Sequence, residues 1–101
     1  TMVFDEVDSG IGGAVAGIVG ARLRALGRTR QVLCVTHLPQ VAAQGHAHWL
    51  VSKTEVDGAT ESRATVLDGR QRQEELARML GGVEISREAR AAARRLLAEV
   101  D

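Results

Sequence analysis

The sequence predicts an α/β chain in which parallel strands with flanking helices are followed by a β-hairpin and two C-terminal helices. Three observations carry this. Two compact apolar runs, Met2-Val3-Phe4 and Gln31-Val32-Leu33-Cys34-Val35-Thr36, flank a segment of helical apolar spacing, the order and size of a βαβ unit. Asp57-Gly58 joins two β-prone stretches, and both central positions of a type I′ hairpin turn need positive φ. Asp68 and Ser86 each precede a segment that can be helical, where a short polar side chain can cap the first turn.

Taken in order, residues 2–4 form a short buried strand that runs into Asp5-Glu6 at its C-terminal edge. Ser9-Gly10-Ile11-Gly12-Gly13 is a tight glycine-rich turn. Val15, Ile18, Val19, Leu23 and Leu26 then recur at helical spacing, which predicts a helix over 13–26 with Gly27 as its stop. The second strand spans 31–36, ends before His37, and gives way at Pro39 to a short helix over 39–44. Strands over 46–56 and 60–67 make the hairpin. A helix over 70–80 begins after Asp68, with Gln71 three residues on, and closes at Gly81-Gly82. In the last helix Ala89, Ala92, Ala93, Leu96 and Val100 make an apolar stripe.

The 101 residues suit one domain or a piece of one, and 45% hydrophobic with 26% charged residues excludes a disordered chain. Phe4 and Trp49 are the only aromatic residues, so the core is aliphatic and small, and marginal stability follows for the chain alone. Thirteen basic residues balance thirteen acidic ones, so the whole chain offers no electrostatic case for a nucleic-acid or membrane surface. The arginine groups at 22, 24, 28 and 30 and at 87, 90, 94 and 95 read as solvated helix faces. A single cysteine, Cys34, excludes an internal disulfide, reads as a small buried hydrophobe, and suits a reducing cytoplasm. No apolar run approaches the roughly 20 residues that span a bilayer. A chain that opens inside a core strand is expected to be a fragment, with open sheet edges prone to self-association.

Ligands of parallel α/β sheets sit at the carboxyl ends of the strands. Both polar strand ends found here, Asp5-Glu6 and Thr36-His37, lie at that edge. Neighbouring carboxylates on an extended backbone point in different directions, so in a nucleotide hydrolase one can hold the Mg²⁺ shell while the other polarises water. Alone, the acids read more readily as a solvated strand end, and His37 as a polar residue satisfied by backbone or water. Their convergence from two adjacent strands favours the functional reading. His46 and His48 have a spacing that can bind metal, but without a nearby carboxylate they read as exposed strand histidines. Trp49 reads as cover for the hairpin's core face.

Three runs carry a resemblance: Val3-Phe4-Asp5-Glu6-Val7-Asp8-Ser9-Gly10-Ile11-Gly12-Gly13, Val32-Leu33-Cys34-Val35-Thr36-His37-Leu38-Pro39-Gln40-Val41-Ala42, and Glu75-Leu76-Ala77-Arg78-Met79-Leu80-Gly81-Gly82. Together they resemble the C-terminal part of the RecN family, SMC-like ABC-type ATPase heads of bacterial DNA repair. The hairpin matches in outline only. The resemblance implies that residues 1–101 are the C-terminal portion of a P-loop head. It implies Asp5 as the Walker B aspartate ordering Mg²⁺ through water, Glu6 as the general base or water-positioning residue, and His37 as the switch histidine sensing the γ-phosphate of ATP. Asp8, Ser9, Gly10, Ile11, Gly12 and Gly13 would form the D-loop along a second head in a homodimer. ABC D-loops usually end in an aspartate where Gly12 stands, which leaves the detailed contacts open. DNA, the chain's own N-terminal head portion and a nucleoid-associated setting without a membrane are implied in the same way.

The sequence lacks a G-x-x-x-x-G-K-[ST] phosphate loop, an ABC signature of the Ser-Gly-Gly type and long heptads, all of which the family places upstream. The 101 residues alone are therefore expected to hydrolyse ATP negligibly. Two other readings stand beside this one. A non-catalytic head-dimerisation or DNA-associated module would keep the fold without turnover, but Glu6 and His37 argue against degeneracy. Another ABC or SMC-type ATPase, such as a transporter domain, would ordinarily show Pro-Thr-Ser-Ala-Leu-Asp chemistry where Val7-Asp8-Ser9-Gly10 stands.

Overall fold

The structure, a computed structural model, describes residues 1–5, 10, 12–82 and 84–100. Along the chain come β1 (Met2–Asp5), α1 (Gly13–Gly27), β2 (Val32–Val35), α2 (Pro39–Ala42), β3 (Trp49–Val56), β4 (Ala59–Val66), α3 (Gly69–Gly81) and α4 (Arg87–Ala98). Every element expected from the sequence is present, with ends moved by a few residues.

β1 and β2 pair in parallel, Met2 opposite Val32 and Asp5 opposite Val35, and α1 is the crossover between them. Met2, Phe4, Val32 and Cys34 are half-buried and share one face of the pair, whereas Val3, Asp5, Leu33 and Val35 share the other and are exposed. Cys34 is thus half-covered, not a fully buried core residue, because the elements over its face of this two-stranded sheet leave it partly open. α1 is mostly apolar, with Arg22 and Arg24 as its charged residues. It buries the small residues Ala16 and Gly20, while Ile18 stays 58% exposed. The small side follows from geometry. A Cβ on Gly20 would meet the Gln40 carbonyl oxygen at 3.1 Å and the Val41 Cα at 3.2 Å, so α1 and α2 meet backbone to backbone.

The hairpin β3–β4 is antiparallel, from Trp49 opposite Val66 to Val56 opposite Ala59. Its two-residue loop has φ 51° at Asp57 and 78° at Gly58, as a type I′ turn requires. Two expectations are corrected here. Trp49 does not cover a core face: it is 56% exposed, because nothing among the described residues packs over that side of the hairpin. Nor do His46 and His48 stand in an exposed strand. Residues 43–48 turn tightly before β3, with the Gly45 backbone so near Ala47 that a Cβ would lie 2.8 Å from its carbonyl oxygen, and this turn carries His48 into a half-buried position.

The core lies among α2, α3 and α4. Ala43, Leu76, Ala77, Ala89 and Ala93 are buried, with Met79, Ile85, Leu96 and Leu97 packed around them. Alanine dominates because helices this close leave little room, and a Cβ on Gly81 of α3 would stand 3.2 Å from that of Ala89 on α4. Both caps form as the residue types dictate. Asp68 Oδ1 accepts from the Gln71 amide while Gln71 Oε1 accepts from the Asp68 amide, and Ser86 Oγ accepts from the Ala89 amide. Among the described residues no helix is long and apolar enough to cross a membrane.

Candidate functional site

The parallel register decides what the strand ends can share. Asp5, the last residue of β1, is the Cα partner of Val35, the last residue of β2. His37 follows two residues later, at most about 7 Å further along the chain. Both residues are exposed, so a carboxylate and an imidazole stand on one edge of one strand pair, open to an outside ligand. Glu6, Asp8, Ser9 and Ile11 lie outside the described residues. Gly10 has φ 78°, and Gly12 is the extended N-cap residue of α1. Gly13 begins α1, where a Cβ would meet Gln40 Nε2 at 3.3 Å, so the end of the glycine-rich turn abuts the segment that follows His37.

That segment is held at both of its ends. On the strand side, Thr36 Oγ1 accepts a hydrogen bond of 3.0 Å from the Leu38 amide, closing a local turn around His37. The Leu38 carbonyl then accepts from the Val41 and Ala42 amides and starts α2, with Pro39 at its first turn. At the far end the carbonyls are met by arginines from two other helices. Arg72 Nη2 on α3 donates to Ala42 and Ala43, each at 3.0 Å, and to Gly45. Arg24 Nη1 on α1 donates to the Gln44 carbonyl at 2.8 Å. Guanidinium groups suit a helix C-terminus because its open carbonyls carry the negative end of the dipole.

Part of the neighbourhood of Arg72 is closed to solvent. Arg72 Nε and His48 Nδ1 are buried without a hydrogen-bond partner among the described residues. Burial, reinforced by the Arg72 charge, lowers the pKa of His48, and Glu75 opposes this in part. Arg72 is itself lowered from its ordinary value by burial and by Arg24. Glu75 is buried and paired with Arg78, whose own value that hydrogen bond raises. No group of three or more potential metal-ligating side chains occurs among the described residues.

Reading the sequence located Asp5 and His37 but missed Thr36 as a turn former, Gln40 as a neighbour of Gly13, and Arg24 and Arg72 as clamps. A Thr three residues before a helix that opens on Pro is a legible signal. Arg72 gave none, since it lies about 30 residues from the carbonyls it binds.

Comparison with known proteins agrees with this architecture. Superposed on a solved structure described under the structural biochemistry of ATP-driven dimerization and DNA-stimulated activation of SMC ATPases, the chain gives a TM-score of 0.61 at 16% identity, covering 81% of this chain and 48% of the other. Its fold is that of a segment of an SMC-type ATPase head. In sequence it is 68% identical over 100 residues to "DNA repair protein RecN" of Xylella fastidiosa (strain 9a5c), covering 99% of this chain and 18% of that protein. RecN of Vibrio cholerae is 52% identical over 97 residues, covering 96% and 18%, and that of Deinococcus radiodurans 55% over 82 residues, covering 81% and 14%. The chain belongs to the RecN family, and it spans only 14–18% of the length of these relatives. No family model matches it.

Proposed function

We propose that residues 1–101 are the C-terminal portion of the ATPase head of a DNA double-strand-break repair protein, contributing Walker B carboxylates, a D-loop and a switch histidine to a nucleotide site completed by the protein's N-terminal head portion. The observation that supports this reading is the register of β1 and β2, which brings Asp5 level with Val35 and hence beside the segment bearing His37. Family membership and the SMC-type fold point the same way.

The residues fit a Mg²⁺-nucleotide. Asp5 offers an exposed hard oxygen donor at a strand end, and Mg²⁺ in phosphate sites is held by one or two carboxylates, waters and the phosphates themselves. When bound, the ion supplies neutralisation of the charge on the transferring phosphoryl group. Asp5 would hold it through water. Glu6 would orient the attacking water and accept its proton. His37 would donate an imidazole N–H to a γ-phosphate oxygen, a contact that strengthens as charge shifts during hydrolysis. Residues 8–13 would run along the second head of a homodimer, and DNA would be the macromolecule on which the parent protein acts. The exposed aliphatic residues Val3, Leu33 and Val35 are the surface on which the N-terminal head portion would lie.

The test is His37→Ala in the full-length protein, with ATP turnover and ATP affinity measured separately. Turnover should fall much more than affinity. Wild-type turnover in that variant would remove the switch assignment, and a Mg²⁺-dependent ATPase activity in the isolated 101 residues, abolished by Glu6→Gln, would overturn the division of the site between two portions.

A further inference from the structure

The side chain of Arg72 meets neither strand tip, yet it grips the helix that follows His37. We propose that Arg72 is a positioning residue for His37, acting through α2; this rests on the ATPase reading above.

α2 is one turn long, Pro39–Ala42, and a helix this short has almost no stability of its own. Its orientation is set by what touches it. Gly20 of α1 lets it approach from one side, and the guanidinium of Arg72 reaches it from α3 on another. A single nitrogen, Nη2, gathers the carbonyls of Ala42, Ala43 and Gly45, which belong to the last turn and the bend beyond it. Among the described residues no other side chain meets three carbonyls of this segment, and without the guanidinium those of Ala43 and Gly45 lose their donor, while that of Ala42 keeps only the Gly45 amide.

The path from Arg72 to His37 is short and consists of hydrogen bonds. Nη2 holds the Ala42 carbonyl, and the Ala42 amide donates to the Leu38 carbonyl at 3.0 Å. The Leu38 amide donates to Thr36 Oγ1, and His37 lies between Thr36 and Leu38. Losing Arg72 leaves the Arg24–Gln44 hydrogen bond and the α1 contact to hold the carboxyl end of α2, a looser grip that lets the turn shift and the imidazole at its head move with it. A contact to a phosphate oxygen tolerates little displacement. His37 is exposed and its imidazole makes no hydrogen bond among the described residues, so the backbone on either side is what fixes its place.

A double-mutant cycle in the full-length protein tests this, with Arg72→Ala, His37→Ala and the pair assayed for kcat and, separately, for binding of a non-hydrolysable ATP analogue. Arg72→Ala should lower kcat by about tenfold to a hundredfold with the analogue's affinity and stoichiometry retained, and the pair should be no slower than His37→Ala alone. Loss of fold would instead reduce binding stoichiometry and multiply with the His37 effect. Multiplicative effects, or wild-type kcat in Arg72→Ala, overturn the proposal. Should Arg72→Ala fail to fold, Arg72→Gln keeps two amide N–H donors on a shorter, uncharged side chain that does not reach all three carbonyls, so it should give a smaller drop, still non-additive with His37→Ala; no drop, or a multiplicative one, overturns it. Unchanged turnover in His37→Ala overturns both this and the switch assignment of His37, whereas a fall there without one at Arg72 rejects the positioning role alone.

Discussion

Gly20 and Val41 face each other across the α1–α2 contact so closely that a Cβ on the glycine would stand 3.2 Å from the valine Cα. Alanine at position 20 would gain about 1 kcal/mol of helix propensity, but extra volume in a tight contact costs about 1–3 kcal/mol. The backbone of α2 cannot swing aside as a flexible side chain can. Gly20→Ala should therefore be neutral to mildly destabilising and Gly20→Val clearly destabilising, by about 2 kcal/mol or more, read from denaturant midpoints. Two variants as stable as the parent would show that α1 and α2 are not held at this distance.

His48 makes stability depend on pH. Its folded-state pKa is lowered, first by burial and then by the Arg72 charge, so the unfolded chain binds more protons once pH drops below its ordinary value of about 6.5. The contribution is present above that value and is lost as pH falls through it toward the lowered folded one. Between pH 7.5 and pH 5 the parent chain should lose more stability than His48→Gln. Parallel unfolding curves for the two would contradict the burial of the imidazole.

The reciprocal cap at the start of α3 ties Asp68 to Gln71 at 2.8 and 3.0 Å. Removing it with Asp68→Ala leaves the first amides of the helix without a side-chain partner and should cost about 1 kcal/mol. Hydrogen exchange of the peptide covering residues 69–81 in the full-length protein should speed up accordingly. Ser86→Ala should do the same for α4, and unchanged exchange in both would rule out a stabilising role for the caps.

At the tip of the hairpin only the backbone is under constraint. Gly58 has φ 78° and no atom within 4 Å of where a Cβ would stand. Gly58→Ala should thus cost about 1–2 kcal/mol from the left-handed conformation alone, whereas Asp57→Asn, at φ 51°, should be tolerated. The hairpin's chemical-shift signature in the two variants separates these outcomes, and equal hairpin populations would argue against the I′ turn.

Reading the sequence succeeded wherever a few neighbouring residues carry the physics. The Asp57-Gly58 turn, the Asp68–Gln71 box, the Ser86 cap and the Pro39 start of α2 are all local, and each stands where the residue types indicated. The parallel pairing of β1 with β2 was also legible, because a helix of this length between two short apolar runs returns the chain in the same direction. Of the candidate site, Asp5 and His37 could be assigned to one edge for the same reason. The failures were failures of burial. Trp49, Cys34 and His48 were assigned by residue type, yet their exposure depends on which surfaces come to lie over them.

By itself, then, the sequence determined the element order, the caps and turns, and the strand ends at which a carboxylate and an imidazole emerge, since hydrogen-bonding preference and backbone conformation act within a few residues. Tertiary structure alone decided that Gly20 admits α2 against α1, that Arg72 closes α2 from about 30 residues away, and that His48 is drawn into the interior. Those are contacts between distant parts of the chain. Their formation depends on shape and packing in three dimensions, which no short window of residues encodes.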